Sequence, residues 1–206
     1  MSQLDSRIYL ASRSPRRREL LHQIGVRFDL MPFRAPPRDD PEVSEIPHPG
    51  EMPEDYVLRV AQAKALHGRR LLRERNLPPR LLLAADTTLD LDGDIIGKPH
   101  DSGDAEAILA RLSGRSHRVL TAIAVAGPGE RMEHVLSISQ VRFRVLAAAE
   151  IHRYALSGEP LDKAGAYAIQ GQAAMFIEEI HGSPSGIVGL PLCETVLLLR
   201  RLGYPV

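Results

Sequence analysis

Leu81-Leu-Leu-Ala-Ala-Asp86-Thr-Thr-Leu-Asp-Leu-Asp92-Gly93-Asp-Ile-Ile96 is the stretch on which the fold turns. Leu81 to Ala85 is an unbroken apolar run of strand length, the pattern of a central strand buried on both faces. Leu89 to Ile96 then alternates around Asp92-Gly93, which predicts a tight hairpin. Upstream, Glu54–Glu74 reads as a helix with Val57, Val60, Ala61 and Lys64 along one side and Gly68 in its second half. Ile8–Ala11 and Phe28–Pro32 read as short strands. Between them, Pro15–Ile24 reads as a helix with Leu20, Leu21 and Ile24 on one face and Gly25 as its stop. Downstream, Asp104–Leu112 and Ala147–Leu156 read as helices, and Ser116–Val125, Ser137–Val145 and Met175–Ile180 as strands. Pro191 opens a last helix through Leu202, ended by Gly203. Helices and strands alternate with hairpins inserted, so the expected class is α/β with a mixed sheet flanked by helices.

Pro32–Pro53 breaks this alternation. It holds seven of the sixteen prolines, which excludes a regular helix or central strand. A loop of that length in a compact domain is often functional or mobile. The 206 residues suit a single domain over 1–206, or two small halves around a cleft. A domain of this size hides roughly 70% of the surface its unfolded chain exposes. Apolar residues make up 44% and charged residues 25%, the composition of an ordinary soluble protein. Lys plus Arg and Asp plus Glu both number 26, which argues against a protein built to coat nucleic acid. The single cysteine, Cys193, reads as a small apolar residue on the last helix; no disulfide can form within the chain. The opening residues lack a signal-peptide core and no apolar run approaches a membrane span, so a cytoplasmic protein without a membrane anchor is expected.

Absent motifs narrow the chemistry. There is no G-x-x-x-x-G-K-[ST] phosphate loop, no G-x-G-x-x-G, no G-x-S-x-G and no clustered His or Cys for zinc. Four segments carry positive signals. In Leu10-Ala-Ser-Arg-Ser-Pro-Arg-Arg-Arg18, serine hydroxyls and a helix start precede three arginines that oppose the helix dipole. Ser12, Ser14, Arg16 and Arg17 form either a phosphate site or a solvated basic helix end. Asp86, directly after the apolar strand, sits where ligands gather in open α/β sheets. It either holds a metal or activates water, or it forms a turn. Lys98 in Ile96-Gly-Lys-Pro99 and Lys64 on its apolar helix side are each a ligand contact or a surface or snorkelling lysine. Gln170, among small residues in Leu161-Asp-Lys-Ala-Gly-Ala-Tyr-Ala-Ile-Gln-Gly171, carries an amide that both donates and accepts. That matches the imide edge of uracil or thymine, matches guanine as well, and equally describes a polar loop residue. Gly186 to Pro191 reads as a structural turn into the last helix.

Taken together, Leu10–Leu21, Ala85–Thr87, Gly97–Pro99, Leu112–His117, Asp162–Gly171 and Val188–Leu192 resemble the Maf family of nucleoside triphosphate pyrophosphatases in order and spacing. The likeness runs from about Ile8 to Gly203. It implies an elongated α/β fold with a deep cleft between two lobes, akin to inosine triphosphatases, commonly a homodimer. It implies hydrolysis of a nucleoside triphosphate between its α and β phosphates with a divalent metal, Mg²⁺ or Mn²⁺. The Ala-Gly-Ala-Tyr-Ala-Ile-Gln-Gly segment looks like the branch acting on dTTP and UTP, including modified pyrimidines. By that likeness Asp86 is the general base or metal ligand. Arg16, Thr87 and Gln170 are specificity positions, and Ser12, Arg17, Lys64 and Lys98 are triphosphate contacts. The family also places a Glu, often with a second acid, shortly after the second strand. Here that region reads Arg34-Ala-Pro-Pro-Arg-Asp-Asp40, with Pro36 and Pro37 about where the acids belong, so Asp39 or Asp40 would have to replace them. Two alternatives accompany this reading. One is the same reaction on a modified purine nucleotide; the other is a non-catalytic nucleotide-binding regulator of cell division.

Overall fold

The computed structural model describes residues 7–33 and 42–206. Among the described residues, seven strands form one sheet: β1 (Arg7–Leu10), β2 (Arg27–Leu30), β3 (Leu82–Leu91), β4 (Asp94–Ile96), β5 (Ser116–Ala126), β6 (Met132–Phe143) and β7 (Ile177–His181). Their order is β2-β1-β3-β5-β6-β7, with β4 also paired to β3. β1 is parallel to β2 and β3, and the other pairs are antiparallel. The helices are α1 (Pro15–Gln23), α2 (Pro53–Glu74), α3 (Ser102–Leu112), α4 (Ala148–Leu156), the single turn α5 (Pro184–Val188), and α6 (Leu192–Arg201). This is the mixed α/β sheet that the sequence pattern predicts.

The largest difference from expectation is β3. The apolar run and the first hairpin arm are one ten-residue strand, so Asp86 lies mid-strand rather than beyond a strand end. The cause is the ladder with β5, which pairs without interruption from Leu82↔Ala126 to Asp90↔Arg118 and keeps the polar residues extended. The hairpin forms as the Asp-Gly pair predicts: Asp92 and Gly93 have φ of 57° and 90°, and Asp90 accepts from Gly93 N at 2.7 Å. β6 starts at Met132, five residues before the expected Ser137, because it pairs with the far end of β5 at Ala126. Residues Gln172–Phe176 form a 3₁₀ segment that buries Ala173 and Phe176, so β7 starts only at Ile177. Gly186 to Pro191 includes part of α5 rather than a bare turn, and Cys193 is on α6 but exposed.

Period-two alternation along β3 and β5 divides the core. Leu82, Ala84, Leu120, Ala122 and Ala124 face α2, packing on Tyr56, Val57, Val60 and Ala61. Gly68 permits that approach, since a Cβ there would lie 2.7 Å from Leu82 Cδ1. The opposite face carries two separate cores. Leu83, Ala85, Ile123 and Val125 pack against α1 and α6. Leu89, Leu91 and Val119 pack against α3 and α4. Between them stand Thr87 and Thr121, which are ladder partners, so two apolar lobes meet at a polar waist. The strand edge opens at the same level. β1 pairs with β3 at Leu82 and Leu83, β4 pairs from Leu89 to Leu91, and neither covers the span between. The cleft opens there.

His117 lies in the second core, with Nε2 2.8 Å from the Tyr167 hydroxyl and a buried Nδ1 that has no partner. Burial pulls its pKa from 6.5 down to about 4. The unfolded chain therefore takes up a proton that the folded one refuses as pH falls through that window. Wild type should lose about 3 kcal/mol relative to His117→Gln between pH 6.5 and 4, read from urea unfolding across that range.

Candidate active site

The site begins where β1 ends. Ser12 is buried at the strand exit, and its Oγ accepts from Ser14 N at 3.2 Å. Ser14 is the N-cap of α1, its Oγ accepting from Arg17 N at 3.4 Å, and Pro15 fills the first helical position. The Ser14 hydroxyl thus serves the helix. No acid stands in that first turn; Arg16 and Arg17 do, against the helix dipole. Arg17 folds inward. Its Nε donates to Gly189 O at 2.8 Å, Nη2 to Thr87 Oγ1 at 3.1 Å and Nη1 to Ser12 Oγ at 3.4 Å. Burial lowers the guanidinium's pKa, against the pull of Asp86 and Glu45. Gly189 presents its carbonyl at φ 123°, directly after α5, a conformation that favours glycine. Thr121 donates to Gly186 O at 2.8 Å, so Thr87, 3.0 Å away, donates its own proton to Thr121 and accepts from Arg17.

Asp86 points the other way, toward α2. Its Oδ1 is 2.7 Å from Lys64 Nζ, and the same ammonium is 2.6 Å from Glu45 Oε1. Lys64 thus bridges two carboxylates. Burial disfavours its charge, but Asp86 and Glu45 outweigh burial and raise its pKa. Desolvation likewise pushes the Glu45 carboxyl up, and Lys64, Lys98 and Arg17 more than reverse it, holding the group below its ordinary range. Lys98 lies 3.9 Å from Glu45 Oε2 with its side chain 59% exposed, reaching toward the cleft from the β4 exit.

The second lobe closes the cleft with residues 162–170. Gly165 and Ala166 are left-handed, at φ 74° and 59°. A Cβ on Gly165 would lie 2.1 Å from Leu89 Cδ2, so only glycine fits between the segment and β3. Gly165 N donates to Gly97 O at 2.9 Å, and Ala168 N to the Tyr154 hydroxyl at 3.3 Å. Gln170 is exposed at the rim. Arg16 Nη2 and Asp162 Oδ2, from opposite lobes, are 3.9 Å apart.

Ser12, Arg16, Arg17, Lys64, Asp86, Thr87, Lys98 and Gln170 therefore line one cleft of about 770 Å³, although 158 positions separate the first from the last. Pro36, Pro37, Asp39 and Asp40 lie outside the described residues. The acid brought to Lys64 is Glu45, which sequence reasoning missed. Its one signal was membership of the proline-rich loop. Among the described residues no three His, Cys, Asp or Glu side chains converge as a metal cage. Two carboxylates within reach of one point nonetheless fit a hard cation that draws its other ligands from water and phosphate.

Together the fold and the cleft define an α/β protein in which Arg16, Arg17, Lys64 and Lys98 line a pocket between two lobes. The family model described as "Maf-like protein" matches residues 7–202, and the chain belongs to the Maf family. A protein of Aromatoleum aromaticum named dTTP/UTP pyrophosphatase is 59% identical over the full length of both chains. One of the same name from Dechloromonas aromatica is 58% identical, over 96% of this chain and 98% of its own. A solved HAM1 protein from Coxiella burnetii is similar at 17% identity and a TM-score of 0.41, over 95% of this chain and 98% of that one. No helix among the described residues is long and apolar enough to cross a membrane.

Arg17→Lys should weaken the join between α1, β3 and the α5 turn, because one ammonium cannot span three acceptors. A loss of about 2 kcal/mol is expected, read as a Tm lower by about 4–8 °C for a chain of this size.

Proposed function

We propose that this chain is a nucleoside triphosphate pyrophosphatase that hydrolyses dTTP and UTP to the nucleoside monophosphate and pyrophosphate. The observation that carries the reading is the Asp86–Lys64–Glu45 bridge, 2.7 and 2.6 Å on its two sides, in a cleft lined also by Arg16, Arg17 and Lys98. Such a set places carboxylates for a water and cations for a triphosphate in one pocket. The names of the full-length relatives support the substrate class.

Phosphoryl transfer needs an in-line water and neutralised charge more than covalent chemistry. Asp86 orients the attacking water and accepts its proton, and Lys64 helps hold the Glu45 carboxyl below its ordinary range. Asp86 and Glu45 are the residues that would hold Mg²⁺ or Mn²⁺, which when bound supplies Lewis acidity at the phosphate. Arg17, two of whose five N–H donors remain free of the three protein bonds named above, joins Ser12, Lys64 and Lys98 in binding the phosphates. Arg16, at the mouth between the lobes, closes over the bound nucleotide. Gln170 donates to a pyrimidine carbonyl and accepts from the ring N–H. Thr87, its proton committed to Thr121, offers a ligand only a lone pair and so selects an N–H.

Asp86→Asn should lower kcat for dTTP by about 10²–10⁴-fold with KM changed little. Pyrophosphate release from a panel of nucleotides, with Mg²⁺, Mn²⁺ or chelator, should be metal-dependent and led by dTTP and UTP. A purine in the lead would overturn the specificity, and no turnover on any nucleotide would overturn the reaction.

A further inference from the structure

Among the described residues of the loop that carries Glu45, 42–52, most are exposed. Ile46 is 73% exposed and the Glu45 side chain 48% exposed. Yet Glu45 must keep its carboxylate beside Lys64. Three successive carbonyls bracket it, and each accepts from α2: Ser44 O from Arg59 Nη1 at 3.2 Å, Glu45 O from the Tyr56 hydroxyl at 2.9 Å, and Ile46 O from Arg59 Nη2 at 3.1 Å. The two donors are one helical turn apart. The loop's far end closes on the same guanidinium. Glu51 takes Arg59 Nε at 2.6 Å and Nη2 at 2.8 Å, a two-pronged ion pair, and also accepts from His48 N at 2.9 Å. Farther along α2, Lys64 receives the Glu45 carboxylate itself.

We propose that Arg59 and Tyr56, secured by Glu51, are positioning residues that fix the backbone on both sides of Glu45 and so hold its carboxylate opposite Asp86. One helix thereby sets both the path of the loop and the charge its acid meets. The inference rests on the proposed function, in which Glu45 works with Asp86. Burial and the nearby carboxylates raise the Tyr56 hydroxyl, so it stays a donor. Arg59 holds Glu51 down at about 2, so the clamp itself does not titrate in the working range. The charged and titratable groups that face Glu45 are Lys64 and Tyr56 on α2, Lys98 after β4, Arg17 on α1 and Asp86 on β3.

The test is steady-state kinetics on dTTP, resolved into kcat and KM, for Arg59→Ala, Arg59→Lys, Tyr56→Phe and Glu51→Gln, with Asp86→Asn as control and circular dichroism to verify folding. Arg59→Ala should lower kcat by about 10–100-fold, the scale of a misplaced catalytic group, with KM within a few-fold because the phosphate contacts are intact. Arg59→Lys should recover little, because one ammonium cannot span two carbonyls and a carboxylate. Tyr56→Phe should lose a few-fold. Should Arg59→Ala fail to fold, Glu51→Gln keeps the shape, removes the charge, and should show the same pattern in weaker form. Folded variants with wild-type kcat would overturn the proposal, as would a loss of activity carried by KM rather than kcat, which marks a general loosening of the cleft only. If Asp86→Asn is also indifferent, the assignment of the catalytic site has failed rather than the clamp.

Discussion

The structure depends on one strand being shared by two cores. β3 is long enough to lie under α1 and α6 at its start and under α3 and the 162–170 segment at its end. Two lobes on one continuous ladder cannot slide apart, and they cannot close on each other where the strand turns polar. Had Thr87 and Thr121 been valine or isoleucine, the two apolar clusters would merge across the waist. The paired hydroxyls instead form a polar seam at fixed height, and the unpaired edge of β3 between β1 and β4 opens beside it. The cleft follows from strand pairing and alternation before any loop is considered.

The same alternation distributes the chemistry. Asp86 and Thr87 are neighbours in sequence, so the pleat sends them to opposite faces. Asp86 meets α2 and its lysine; Thr87 meets α1 and its arginine. A lysine on the apolar side of α2 is costly unless its charge is matched. Two carboxylates match it, and the side chain is only 11% exposed. The arrangement leaves two anions and one cation in the inner set, with Arg17 and Lys98 nearby. Those cations hold the Glu45 carboxyl below its ordinary range, and in the proposed function a triphosphate brings competing negative charge to the same place.

Periodic elements were legible in the sequence because alternation and helical spacing are local signals. The α2 stripe of Val57, Val60 and Ala61 and the Asp92-Gly93 hairpin are examples. The unity of β3 was not legible, because Asp86-Thr-Thr reads as a break unless the pairing partner is known. A ladder of nine residue pairs with β5 overrides that local preference. Glu45 escaped for a related reason. Its loop has no periodicity, and what places the acid is a set of carbonyl contacts to side chains 11 to 15 residues away on a helix. Residue types alone do not disclose which carbonyls a guanidinium will take.

The start of α1 shows why violations of local rules are informative. Its cap follows the rules: serine at the N-cap and proline at the first position. Its charges do not, since basic residues occupy a turn whose dipole favours acids. The conflict is settled within the fold by turning Arg17 away from the helix axis onto Gly189 O, Thr87 and Ser12. Those acceptors come from three separate elements, and all lie at the waist. A helix end designed only for stability would use an aspartate there and need none of them. The cap fixes the helix in place, the misplaced charge is directed into the cleft, and the glycine at φ 123° offers the carbonyl that holds it. Consistency at every other level of α1 makes the one inconsistency readable as function.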